Sequence, residues 1–65
     1  MKILVNGQEQ QVEPGTTILK LIELHHLTPD KVAIELNRRL TRAEKYAAEL
    51  KEGDQVEIVT FVGGG

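Results

Sequence analysis

The shortness of the chain is the feature that most restricts its fold. Sixty-five residues can form only one hydrophobic core, and a domain of this size buries only about 60% of the surface that its unfolded chain exposes. Nearly every aliphatic side chain must therefore contribute to that core. Because this leaves no space for a deep substrate cavity, the length argues against an independent enzyme.

The composition excludes further classes of function. Cysteine is absent, which removes thiol nucleophiles, disulfides and cysteine metal ligands. The adjacent His25 and His26 would point about 100° apart on a helix, so we predict no metal site. No apolar run approaches the length of a membrane span. We interpret the chain as a cytoplasmic protein with no membrane partner.

The charge pattern does not favour nucleic-acid binding. The net charge is −2, with no tryptophan, one tyrosine and one phenylalanine, whereas nucleic-acid-binding surfaces are usually basic and carry stacking aromatic rings. One basic cluster, Arg38-Arg39-Leu40-Thr41-Arg42, is closely followed by Glu44 and Glu49. We interpret this cluster as solvated surface and expect no nucleic-acid partner.

Turn signals in the first half predict a hairpin and then a helix. Asn6-Gly7 is a strong hairpin signal, because a type I′ turn needs a positive φ at both positions. A two-residue loop gives the register Val5 with Gln8, Ile3 with Gln10 and Met1 with Val12, in which the glutamines fit the apolar face poorly. Pro14-Gly15 ends the hairpin, and Thr16 or Thr17 caps the helix. The helix has an apolar stripe of Ile18, Leu21, Ile22 and His25, flanked by Leu19 and Leu24. Thr28-Pro29-Asp30 is predicted to end it, with His25 at the edge of the core.

The second half predicts further strands and a short helix. Residues 32–36 alternate as a half-buried strand does, and Asn37-Arg38 forms a turn into a short strand near Leu40. Residues 42–50 favour a helix with one face made of Ala43, Tyr46, Ala47 and Leu50. After a turn at Gly53-Asp54, residues 55–62 form the last strand, whose alternation places Val56 and Ile58 in the core and Glu57, Val59 and Phe61 on the other face.

This order of elements predicts an α+β fold with two layers. A mixed sheet of four to five strands would pack on one main helix, with a short second helix beside it. We assign residues 1–62 to this domain and residues 63–65 to a flexible glycine tail.

The three glycines of the tail are too flexible to pack in a core. Extended, they reach about 10 Å, and the lack of Cβ atoms would let them enter a narrow slot in another protein. A carboxylate with a pKa near 3.5 is ionised at neutral pH and must be activated, for instance as an acyl-adenylate, before a sulfur nucleophile can displace AMP. On the tail alone, a fraying terminus explains the glycines equally well.

With these features established, the whole chain resembles the ThiS family, the sulfur carriers of thiamine thiazole biosynthesis. The landmarks, in chain order, are the Asn6-Gly7 hairpin, the Thr16-Thr17-Ile18 helix start, the strand at 32–37, Gly53-Asp54, Val56-Glu57-Ile58-Val59 and the ending Phe61-Val62-Gly63-Gly64-Gly65. One departure is Leu40-Thr41-Arg42, where many relatives carry Val-Pro-Arg.

The resemblance implies a β-grasp (ubiquitin-like) fold and a cycle between carboxylate and thiocarboxylate at Gly65. Gly63 and Gly64 would be the thread, the segment that enters the active sites of partner proteins. A ThiF-like E1-type adenylating enzyme would activate Gly65 with ATP and magnesium, a cysteine desulfurase relay would supply sulfur, and thiazole synthase would accept it. The chain itself would bind no cofactor. Leu4, Val59, Phe61 and Val62 form the predicted docking surface beside the tail.

Two other functions stay open at this point. A MoaD-like carrier for molybdopterin, or for another sulfur pathway, would share the fold and the tail and differ only in its partner. A ubiquitin-like modifier would form isopeptide bonds with lysines, whereas a non-covalent interaction module would tolerate loss of the tail.

Overall fold

The computed structural model describes residues 1–61 and contains a five-stranded mixed sheet packed on one α-helix. The elements in chain order are β1 (Lys2–Val5), β2 (Gln8–Gln11), α1 (Ile18–Leu24), β3 (Val32–Leu36), β4 (Arg39–Thr41) and β5 (Gln55–Thr60). The strands lie in the order β2-β1-β5-β3-β4. Strands β1 and β5 run parallel, and the other neighbours are antiparallel. The predicted α+β class is confirmed.

The first hairpin has the predicted turn and register. Asn6 and Gly7 have φ angles of 50° and 82°, as a type I′ turn requires, and Val5 lies opposite Gln8. The two glutamines lie in different surroundings, and Gln8 is exposed to solvent. Gln10 is half-buried, and its Oε1 lies 2.9 Å from His25 Nε2 at the end of α1.

Helix α1 is capped by Thr17 and by a distant segment of the chain. The Thr17 Oγ1 accepts a hydrogen bond from the Lys20 N–H at 3.0 Å. The first two helical N–H groups donate instead to the carbonyls of Ala48 (from Ile18, 3.2 Å) and Tyr46 (from Leu19, 2.9 Å). The N–H groups left unpaired at a helix start therefore find partners in the segment before β5.

This use of carbonyl groups corrects the predicted second helix. Residues 42–50 contain a single 3₁₀ turn, Ala43–Lys45. The Leu50 N–H, which a continued helix would pair with the Tyr46 carbonyl, donates to the Thr16 carbonyl instead, and the Tyr46 carbonyl accepts from α1. Tyr46 and Leu50 are buried as predicted. Ala43 and Ala47, expected on the same face, are exposed.

Helix α1 ends earlier than the sequence predicts. His25 is the C-cap and His26 has a φ of 60°. The Leu27 N–H donates to the Ile22 carbonyl, and the His26 N–H to the Glu23 carbonyl, the two hydrogen bonds of a Schellman motif. The helix therefore stops before Thr28-Pro29-Asp30, where a short 3₁₀ turn, Pro29–Lys31, follows. The prediction that His25 edges the core was wrong, since its side chain is exposed.

The core lies between α1 and one face of the sheet. Its members are Ile3, Val5, Val12, Ile18, Leu21, Ile22, Val32, Ile34, Tyr46, Leu50, Val56 and Ile58. Strand β5 lies in the middle of the sheet between β1 and β3 and contributes Val56 and Ile58, as its alternation predicts. It ends at Thr60, and Val62, predicted to be its last residue, lies outside the described part of the chain.

Candidate functional site: the open face of the sheet and the end of β5

The open face is the side of the sheet away from α1, and it carries the apolar residues predicted to dock a partner. Val59 and Phe61 are 55% and 56% exposed. Val59 lies opposite Ala33 of β3, and the Phe61 N–H donates to the Lys31 carbonyl at 2.9 Å. This hydrogen bond continues the antiparallel ladder past the end of β5, so the backbone of Phe61 is fixed while its ring remains accessible.

Leu4 shares the open face but lies apart from this pair. It is half-buried and lies beside Gln55, the first residue of β5. Val59 is four residues further along β5, a distance of about 13 Å at the rise of a strand. The structure therefore brings Val59 and Phe61 together and places Leu4 at the other end of the open face.

Two carboxylates occupy the middle of the open face. Glu57 lies directly opposite Glu35, and both side chains are exposed. The one ion pair found among residues 1–61 joins Lys2 Nζ to Glu9 Oε2 at 3.5 Å and involves neither of them. Like charges directly opposite in a sheet repel each other, so a basic group on a docked protein would relieve this repulsion.

Two asparagines bond β5 from its two sides, a role that no local pattern in the sequence indicates. Ile58 donates its N–H to Asn6 Oδ1 at 2.7 Å, and Asn6 Nδ2 donates to the Ile58 carbonyl at 3.3 Å. On the other side, Gln55 donates its N–H to Asn37 Oδ1 at 2.9 Å. The turn signals located both asparagines, but their partners are 52 and 18 residues away, beyond the reach of local patterns.

A shallow groove lies at the opposite end of β3 from Phe61. It has a volume of about 400 Å³, and its apolar lining consists of Ile18, Leu36, Leu40 and Ala48. Arg39 and Arg42 of the basic cluster line it as well. Both arginines are exposed, in agreement with the interpretation of the cluster as solvated surface.

The remaining chemistry of the described residues is modest. The nearby hydroxyl of Thr28 and, to a lesser extent, the backbone N–H of Asp30 hold the pKa of the Asp30 carboxyl below its ordinary value. Residues 1–61 contain no group of three or more side chains arranged to bind a metal ion. No helix within them has the length and apolar character to cross a membrane.

Gly63, Gly64 and Gly65, the predicted thread and modification site, lie outside the described residues.

A comparison with known proteins identifies the family of this chain, with its β-sheet, one helix and three glycines. The ThiS family matches residues 3–65, which include the three glycines. The chain belongs to the ThiS family. It is 29% identical to the sulfur carrier protein ThiS of Escherichia coli, with all of both chains covered.

Longer proteins also contain a region of this kind. The chain is 42% identical to part of a thiazole synthase of Magnetococcus marinus, and it spans about a fifth of that protein's length (20%). A thiazole synthase of Paramagnetospirillum magneticum matches at 35% identity with the same coverage.

Solved structures confirm the β-grasp fold. The crystal structure of the thiamine biosynthesis protein ThiS of Geobacter metallireducens superposes with a TM-score of 0.80 at 30% identity, with all of both chains covered. A ubiquitin-like protein of Caldiarchaeum subterraneum gives a TM-score of 0.56 at 22% identity over 98% of this chain and all of its own, a likeness of fold alone. The predicted ubiquitin-like architecture is therefore correct.

Proposed function

We propose that this ThiS-family chain carries sulfur as a thiocarboxylate at Gly65 and donates it to thiazole synthase. The observation that carries the proposal is the family match over residues 3–65, because it extends through the glycines and not only through the folded domain. The likeness to regions of two thiazole synthases supports that enzyme as the acceptor.

The chemistry begins with a carboxylate that is unreactive as an anion. A free carboxylate at Gly65 is ionised at neutral pH. A ThiF-like E1-type enzyme, using ATP and magnesium, would join one carboxylate oxygen to the α-phosphorus of ATP with loss of pyrophosphate. The outer sulfur of a persulfide from a cysteine desulfurase relay would then attack the acyl carbon and expel AMP. A second thiol would break the S–S bond of the resulting acyl disulfide, which releases the thiocarboxylate and leaves a disulfide between the two thiols. The adenylating enzyme would supply the catalytic groups, and this chain is their substrate.

The open face is the proposed docking surface for the activating enzyme. Val59 and Phe61 present an apolar area next to the end of β5, with Val62 following in the chain. Glu35 and Glu57 favour a partner with a basic group beside an apolar patch. Leu4 would belong to the outer part of the same contact, about 13 Å further along the sheet.

The proposal is tested by the intact mass of the protein after incubation with ATP, magnesium, a ThiF-like enzyme and a cysteine desulfurase with cysteine. We expect a mass gain equal to the exchange of one oxygen for sulfur, and its complete loss when Gly65 is deleted. A protein that keeps its original mass, with an activating enzyme shown to thiolate another carrier, would refute the proposal.

The acceptor is tested separately with the thiolated protein. Thiazole synthase should return it to the carboxylate form and release product, whereas the large subunit of a molybdopterin synthase should not. The opposite preference would establish the MoaD-like alternative. A mass increase on lysines of other proteins, equal to the mass of this chain less water, would instead indicate a ubiquitin-like modifier.

A further inference from the structure

The strand that leads to the chain end loses its main-chain partner on one side before it finishes. The Asn6 N–H donates to the Val56 carbonyl at 2.9 Å, and this is the last main-chain hydrogen bond from β1 to β5. Beyond it, β1 turns away, because Asn6 and Gly7 have positive φ angles and begin the turn into β2. The next residues of β5 on this side would have no partner from the backbone of β1.

The side chain of Asn6 bonds β5 beyond the point where the backbone of β1 turns away. A carboxamide has an oxygen acceptor and an N–H donor, as a peptide group has, and that of Asn6 bonds both the N–H and the carbonyl of Ile58. It therefore extends the parallel pairing by one step along β5, to within three residues of Phe61. Thr60 and Phe61 are held from the other side, by pairing with Val32 and Lys31.

We propose that Asn6 is a positioning residue for the chemistry at the chain end. By fixing Ile58, it sets the direction in which β5 delivers the residues that follow, and so the geometry in which Gly65 reaches the adenylating site. This inference rests on the proposed function. It assigns a role to a residue that lies 52 positions from Ile58 and outside the predicted docking surface.

The structure supplies a matched control in Asn37. It also begins a turn with positive φ (52°, followed by Arg38 at 71°), and its side chain also accepts the N–H of a β5 residue, Gln55. Its amide donates to Asp54 Oδ1 at 3.1 Å. Each asparagine thus makes two side-chain hydrogen bonds beside β5, Asn37 at its first residue and Asn6 at Ile58, three residues before Phe61.

The experiment compares Asn6→Gly with Asn37→Gly in the full-length chain. Glycine is favoured at these turn positions, so each variant loses two side-chain hydrogen bonds and keeps its turn. Thiocarboxylate formation by a ThiF-like enzyme is followed by intact mass at several carrier concentrations, and hydrogen exchange is measured at the Ile58 amide.

We expect Asn6→Gly to lower kcat/KM about tenfold, equivalent to about 1.4 kcal/mol, and to accelerate exchange at Ile58. Asn37→Gly should lose a similar amount of thermal stability but keep kcat/KM within about twofold, less than 0.5 kcal/mol. Asn6→Asp, which keeps an acceptor for the Ile58 N–H and also suits the turn, should fall between wild type and Asn6→Gly. If Asn6→Gly fails to fold, the comparison is made with Asn6→Asp instead.

Equal losses of kcat/KM in the two glycine variants would overturn the inference, because the effect would then follow stability alone. A wild-type kcat/KM in Asn6→Gly would overturn it as well. So would a kcat/KM of Asn6→Asp that does not lie between those of wild type and Asn6→Gly. In each of these cases the wild-type chain acquires sulfur. If the wild-type chain acquires none, the proposed function fails, and the positioning role fails with it.

Discussion

The replacement of Phe61 by Asp tests the docking surface most directly. The ring is 56% exposed on the open face. A phenylalanine offers about 200 Å² of surface, so roughly 110 Å² of the ring is available to a partner. At about 25 cal/mol per Å², full burial of that area would contribute about 2.8 kcal/mol, or up to about 100-fold in Kd. A buried, unpaired Asp carboxylate would weaken binding further.

The assay is titration calorimetry of the full-length chain with a ThiF-like activating enzyme, well below the thermal midpoint of each variant. Leu24→Asp is the matched control, because Leu24 is 48% exposed but lies at the end of α1, on the other layer of the domain. We expect Phe61→Asp to lose at least about tenfold in affinity. Leu24→Asp should bind as wild type does.

An unchanged affinity for a folded Phe61→Asp protein would remove Phe61 from the contact. Equal losses in both variants would indicate a nonspecific effect of the added charge, which salt screens. Either result would contradict the assignment of the open face as the docking surface.

Three further predictions concern stability. His26→Gly should raise the free energy of unfolding by about 0.5 kcal/mol, because the left-handed conformation costs a residue with a Cβ about 1 kcal/mol. The greater freedom of glycine in the unfolded chain offsets part of this gain. A lower thermal midpoint would contradict the Schellman assignment. Ile34→Ala, at a fully buried position of β3 (0% exposed), should lower the free energy of unfolding by about 2–5 kcal/mol in urea, whereas Val59→Ala should change it by less than about 0.5 kcal/mol. Asp30→Asn should flatten the loss of stability on acidification: the pKa of Asp30 is lowered in the folded state, so its contribution is present above about pH 4, the unfolded pKa, and is lost as pH falls through the folded value. Thermal midpoints that fall equally steeply in wild type and Asp30→Asn between about pH 5 and about pH 2 would show that Asp30 does not contribute.

The docking pair illustrates how far local patterns reach into the candidate site. Alternation along β5 predicts that Val59 and Phe61 share a face, because successive strand residues point to opposite sides, and both are exposed on that face. The same alternation puts Leu4 on that face but cannot give its distance from Phe61. That distance follows from the parallel register, in which Leu4 lies beside Gln55.

The sequence by itself determined the features that depend on near neighbours. The Asn6-Gly7 turn fixes the register of the first hairpin, since a two-residue loop leaves one set of partners. Thr17 caps α1 through a hydrogen bond that spans three residues. The alternation in β3 and β5 separates core residues from surface residues.

The tertiary structure decided where distant backbone groups find their hydrogen-bond partners. Because nearly all buried N–H and carbonyl groups have a partner, the start of α1 bonds the carbonyls of Tyr46 and Ala48, and the Leu50 N–H bonds the Thr16 carbonyl instead of continuing a helix. For the same reason the side chain of Asn6 bonds Ile58 where β1 turns away from β5. Such pairings depend on how the strands are ordered in space, which turn and helix signals along the chain do not specify.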